Sequence, residues 1–116
     1  MKINNGSIFV KDFQQHKYMG MCWPGLSVFV DFMNKEGRKF WGDMYSYDFF
    51  KGTDDNFHVW LDMNEPSVFD GPEGTLPKNV IHVLDDGLTG VYGKDVKNIY
   101  GIQMMKATYE GLLRRE

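Results

Sequence analysis

The sequence contains one cysteine, Cys22, so no disulfide can close within the chain, and no group of Cys and His has the spacing of zinc ligands. Basic charge is also scarce: 13 Lys plus Arg stand against 16 Asp plus Glu, a net charge of −3. That balance leaves no cationic surplus to track a phosphate backbone, which excludes nucleic acid as an expected partner. No apolar run approaches the roughly 20 residues of a membrane-spanning helix, so no membrane span is expected. The amino terminus, Met1-Lys2-Ile3-Asn4-Asn5-Gly6-Ser7, has no apolar core of the kind a signal peptide carries. Asn5-Gly6-Ser7 has the form of a glycosylation acceptor, which matters only if the chain enters the secretory pathway.

What is present is a globular composition. Over 116 residues, 42% are hydrophobic, 16% aromatic and 25% charged, enough for one domain at most. Ser7-Ile8-Phe9-Val10 suits a short buried strand. Residues 18–32 mix Gly20, Pro24 and Gly25 with Trp23, Phe29 and Phe32, and read as a structured loop whose aromatics plug the core. From Asn34 the pattern is helical: Asn34 caps, Glu36 sits in the first turn, and Phe40, Trp41, Met44, Tyr45 and Phe49 recur at helical spacing up to Gly52.

Phe57-His58-Val59-Trp60-Leu61 is the strongest strand signal, an apolar run of the kind buried on both faces of a parallel sheet. Polarity then flips at Asp62-Met63-Asn64-Glu65-Pro66, where Pro66 prevents a regular helix from running on. Residues 70–95 are rich in Gly, Asp and Pro and read as a long loop. A second helix is expected from about Val96 to the end, with Ile99, Ile102, Met105, Tyr109 and Leu112 on one face. Strand, helix, strand, helix implies a parallel sheet of the α/β class.

In such architectures ligands lie beyond the carboxyl ends of the strands, which is where Asp62 falls. On composition alone a turn-forming or capping Asp is the commoner occupant of that place, Glu65 can serve as a loop-anchoring acceptor, and a Trp at position 60 is most often core. The string Trp60-Leu61-Asp62-Met63-Asn64-Glu65-Pro66-Ser67-Val68-Phe69 favours the functional reading, because it resembles the signature of glycoside hydrolase family 31. Cys22-Trp23-Pro24-Gly25, Val30-Asp31-Phe32, Arg38 with Trp41, Asp70-Gly71-Pro72-Glu73 and Asn98-Ile99-Tyr100-Gly101 resemble further family segments in the same order, covering nearly the whole chain. The similarity is greatest to the family's endoplasmic-reticulum branch, the neutral α-glucosidases.

This resemblance implies a fragment of a (β/α)8 TIM barrel, about two β/α units, with residues 1–116 as part of a catalytic barrel domain. It implies a retaining α-glucosidase that removes terminal α-linked glucose from an oligosaccharide or N-glycan, with no metal or organic cofactor. Asp62 would be the nucleophile, with Glu65 as its electrostatic support. Trp60 would line the sugar pocket, where a flat apolar face suits the C–H face of glucose, with Met63 at its rim and Trp23 as a second sugar-binding aromatic. The branch further implies the lumen of the endoplasmic reticulum and a noncatalytic β-subunit as partner.

A full barrel takes about 250 residues, and the family's acid/base Asp lies on a later strand than this chain supplies. The chain alone is therefore expected to be inactive. It also departs from the family at Leu61, where a polar residue is usual, at Lys35, where Pro is expected, and over residues 83–90. A catalytically inactive sugar- or partner-binding remnant is the alternative reading, and a purely structural α/β domain is a third.

Overall fold

The computed structural model describes residues 1–3 and 6–115, so the Asn of the glycosylation triplet lies outside the described residues. Its elements are β1 (Gly20–Cys22), β2 (Gly25–Ser27), α1 (Lys35–Asp43), β3 (Ile81–Val83), β4 (Gly90–Tyr92), α2 (Gly93–Val96) and α3 (Tyr100–Leu113), with single 3₁₀ turns at Pro72–Gly74 and Lys97–Ile99. The strands form two antiparallel hairpins, β1 with β2 and β3 with β4. This corrects the expected parallel sheet: among the described residues there is no parallel ladder and no closed barrel.

The residues explain each difference. Trp23-Pro24 makes a tight turn in which Gly25 takes φ +101°, and that turn folds the expected loop 18–32 into a hairpin. Residues 70–95 fold in part the same way, because Asp86 caps the turn through Leu88 and Thr89 and Gly87 takes φ +71°. The run Ser7-Ile8-Phe9-Val10 makes only one bridge, Phe9 to Val30, although Val10 is buried. The strand expected at residues 57–61 is not formed: the run makes no strand and no bridge among the described residues. Its burial alternates, with Phe57, Val59 and Leu61 half-buried and His58 and Trp60 exposed, rather than being buried on both faces.

Helix α1 starts where Asn34 accepts a hydrogen bond from the Gly37 amide at 2.7 Å, as its cap position predicts. It stops at Asp43 instead of continuing to Gly52, and the chain turns through residues 44–52. The expected helix from Val96 is broken by the 3₁₀ turn at Lys97–Ile99, and its buried face is not the expected one. Ile99, Ile102, Met105 and Tyr109 are exposed, whereas Tyr100, Met104, Ala107, Thr108 and Gly111 are buried. Close approach to α1 decides this face: a Cβ on Gly111 would stand 2.5 Å from the Gly42 Cα, so only small residues fit at the crossing.

The main core gathers Val10, Phe32, Met33, Val68, Leu76, Val80, Tyr100, Met104 and Ala107. Phe32 is its centre, edge-on to Trp41 at 5.3 Å and to Tyr100 at 5.1 Å. Beside it Asp31 is fully buried. Its carboxylate accepts hydrogen bonds from His82 Nδ1 (2.8 Å), the Val83 amide (2.7 Å), the Met33 amide (3.0 Å) and Asn34 Nδ2 (3.2 Å), so a charge that burial would penalise is fully met. This bundle ties β3 to the start of α1.

Candidate active site

Asp62 follows the run 57–61 and begins a turn in which Met63 takes φ +62° and the Glu65–Pro66 peptide bond is cis. The turn closes where the Ser67 amide donates to the Met63 carbonyl at 3.0 Å. The loop after it is braced from two sides. Ser67 bridges Thr75, and the Leu76 amide donates to the Pro66 carbonyl, while Phe69 donates its amide to Met21 in β1 at 2.8 Å. Asp70 returns the tie by accepting the Met21 amide at 2.8 Å. Val68 is fully buried at the centre of these bonds.

Asp62 is exposed, and its Oδ1 accepts the Met63 amide at 2.8 Å. It lies on the lip of a cleft of about 270 Å³ that Met63, Ser67, Cys22, Pro24, Trp41 and Tyr100 help to line. One carboxylate therefore stands over a largely apolar hollow. Burial, with the nearby Asp31 charge adding to it, pushes the Tyr100 hydroxyl far above its ordinary value, so it stays protonated and donates to the Val30 carbonyl at 2.8 Å.

Of the residues singled out in the sequence, Asp62 and Met63 share this cleft. Glu65 is exposed and turns to Ser67, whose hydroxyl donates to Oε1 at 2.7 Å. Trp60 is 89% exposed and does not line the cleft. Trp23 is 77% exposed at the tip of the β1–β2 turn, edge-on to Phe69 at 4.9 Å. Sequence reasoning missed Cys22, Trp41 and Tyr100 as cleft residues. The signal for Cys22 was present, since it immediately precedes the Trp-Pro turn; Trp41 and Tyr100 reach the cleft only through tertiary packing. Among the described residues no group of three or more His, Cys, Asp or Glu could hold a metal ion, and no helix is long and apolar enough to cross a membrane.

Comparison with known proteins makes the class definite: the model of the glycosyl hydrolases family 31 TIM-barrel domain matches residues 1–116, and the chain belongs to that family.

The chain is similar to neutral alpha-glucosidase AB of Mus musculus, 40% identical over 114 residues, and to the glucosidase 2 subunit alpha of Schizosaccharomyces pombe, 45% identical over 98 residues. These alignments take in 98% and 84% of this chain but only 12% and 10% of the relatives. A crystal structure of the glucosidase II alpha subunit superposes with a TM-score of 0.84 at 41% identity, covering 94% of this chain and 11% of that one. An ER glucosidase II heterodimer of catalytic subunit and the binding domain of the regulatory subunit matches equally, with a TM-score of 0.84 and 41% identity.

Proposed function

We propose that this chain is the nucleophile-bearing part of a retaining α-glucosidase barrel, about two β/α units around residues 57–65. The observation that carries the reading is the exposed Asp62 carboxylate, held by the Met63 amide on the lip of the cleft. In a retaining mechanism an ionised carboxylate attacks the anomeric carbon while a protonated carboxyl about 5–5.5 Å away protonates the leaving oxygen. Water then releases the sugar from the covalent intermediate. Asp62 is the attacking group. Glu65 holds the turn through Ser67 and adds negative potential that favours the developing oxocarbenium charge. The acid is supplied from outside residues 1–116.

Met63 lines the cleft, and Trp60 and Trp23, outside it, present exposed faces that suit stacking on glucose. The substrate is the terminal α-linked glucose of an oligosaccharide or N-glycan, processed in the lumen of the endoplasmic reticulum. A noncatalytic β-subunit is the expected partner, by similarity to the heterodimeric relative. No metal or organic cofactor enters these steps.

The test is Asp62→Asn in the full polypeptide in which residues 1–116 form part of the barrel. It keeps the side-chain size and removes the attacking charge, so kcat on a nitrophenyl α-glucoside should fall by about 10³-fold or more with folding retained. Activity within tenfold of the parent contradicts the proposal. The second reading is an inactive sugar- or partner-binding remnant, in which the exposed Trp23 and Trp60 bind glucose units or a partner without turnover. Glucose-oligosaccharide binding without turnover in the natural polypeptide would support it.

A further inference from the structure

Strand β1 pairs with β2 and is also fastened to residues 67–70, the segment that leaves the Asp62 turn. Both backbone groups of Met21 are used there: its amide donates to Asp70 Oδ1 at 2.8 Å, and its carbonyl accepts the Phe69 amide at 2.8 Å. On one side of Met21, Cys22 Sγ donates to the Ser67 carbonyl at 3.9 Å. On the other, a Cβ on Gly20 would stand 2.7 Å from Cγ1 of the buried Val68, so glycine is what lets β1 come this close.

Met21 stands two residues before Trp23, in a turn stiffened by the fixed φ of Pro24 and by Gly25 at φ +101°. The Trp23 ring in turn stands edge-on to Phe69 at 4.9 Å. The indole is therefore held against the same segment to which its own strand is bonded, one residue before Asp70. The Asp70 bond is a carboxylate accepting from an amide, and its acceptor can be kept, moved or removed by substitution without altering the backbone.

We propose that Asp70 is a positioning residue for Trp23: by holding the Met21 amide it sets where the β1–β2 turn presents the indole face, and so governs affinity for the sugar rather than the rate of attack on it. The inference deepens the proposed function and rests on the reading of Trp23 as a sugar-binding aromatic. Asp70 acts through the hairpin. A flat ring stacks well on the C–H face of glucose only when its place and tilt are set beforehand, and a hairpin freed at Met21 must be ordered again at each binding event.

The experiment uses the full polypeptide in which residues 1–116 form part of the barrel, with maltose as the probe because it offers two glucose rings. It reads KM and kcat separately, together with the thermal midpoint. Asp70→Ala should raise KM about three- to tenfold, the range that one net hydrogen bond commands, with kcat within about twofold. Asp70→Asn keeps an oxygen acceptor in the same place and should hold KM within about twofold of the parent. Asp70→Glu keeps the charge but moves the acceptor by one methylene, and should raise KM as alanine does. A loss of stability alone would lower the thermal midpoint without moving KM. Trp23→Ala should raise KM as well, and Asp70→Ala should add less than about twofold on top of it, because no ring is then left to place.

If Trp23→Ala raises KM while Asp70→Ala leaves it at the parent value, or if the two effects multiply in the double variant, the inference is overturned and the reading of Trp23 stands. An Asp70→Asn variant with the KM of Asp70→Ala also overturns it, since the bond to Met21 is then not what matters. An unchanged KM in Trp23→Ala overturns both. If Asp70→Ala fails to fold, Asp70→Glu decides: the parent KM in it refutes the proposal.

Discussion

Asp31 and His82 stand 51 residues apart in the sequence and 2.8 Å apart in space, and both side chains are sealed from solvent. Their contact joins the β3–β4 hairpin to the start of α1, so the element that carries the hairpin and the element that carries Trp41 into the cleft are held as one body. A buried carboxylate with four donors is costly to disturb, because removing it leaves His82 Nδ1 and the Met33 and Val83 amides without this acceptor, while Asn34 Nδ2 keeps only the Ser7 carbonyl.

Asp31→Ala should therefore destabilise the protein by about 3–5 kcal/mol. The control is Asp85→Ala, which breaks the pair with Arg38 at 2.9 Å, where Asp85 is 58% exposed. Its cost should stay below about 1 kcal/mol, because solvent screens the pair and Arg38 keeps its bond to the Phe32 carbonyl. Urea denaturation of the two variants side by side measures the contrast; equal losses would contradict it.

Tyr100 gives the fold an alkaline limit. Burial raises its folded pKa above the unfolded value of 10.0, so above that pH the unfolded chain releases a proton that the folded chain keeps. The unfolded state then binds fewer protons, and stability falls as pH rises, by up to about 1.4 kcal/mol per pH unit from this group. Tyr100→Phe should be less stable at neutral pH, where the Val30 carbonyl loses its partner, by about 1–3 kcal/mol. The two stability curves should converge above pH 10. Denaturation midpoints between pH 8 and 11 test it, and parallel curves would refute the assignment.

At the α1–α3 crossing, Gly111→Val should cost about 1–3 kcal/mol, because its Cβ meets backbone atoms of Gly42 that cannot rotate away. Thermal melts read the effect. A neutral outcome would mean that the helices separate freely.

How much of this was legible in the sequence differs from residue to residue. The cap at Asn34 and the turn after Asp62 could be read, because both follow from local chemistry: an amide side chain before a helix, and Pro66 after two carboxylates. The end of α1 could not, since Tyr45 and Phe49 continue a helical spacing, whereas in the loop Tyr45 packs on Phe50 and Phe50 on Phe57, with Phe49 left exposed. On α3 the larger apolar residues drew attention to the exposed face. The buried face carries Ala107, Thr108 and Gly111 because the nearness of α1 selects for smallness, which a reading by hydrophobicity overlooks. Pairing is also nonlocal, so residues 57–61 announce extended backbone without saying whether a partner strand lies within reach.

Asp62 is proposed to form the covalent bond to the sugar. The direct measurement is peptide mapping of the full polypeptide after inactivation by a slow-turnover fluorinated glucosyl donor, whose fluorine slows breakdown of the intermediate more than its activated leaving group slows formation. One added fluoroglucosyl group is expected, on Asp62, and none in Asp62→Asn. A label on Glu65, Asp43 or any other residue would contradict it.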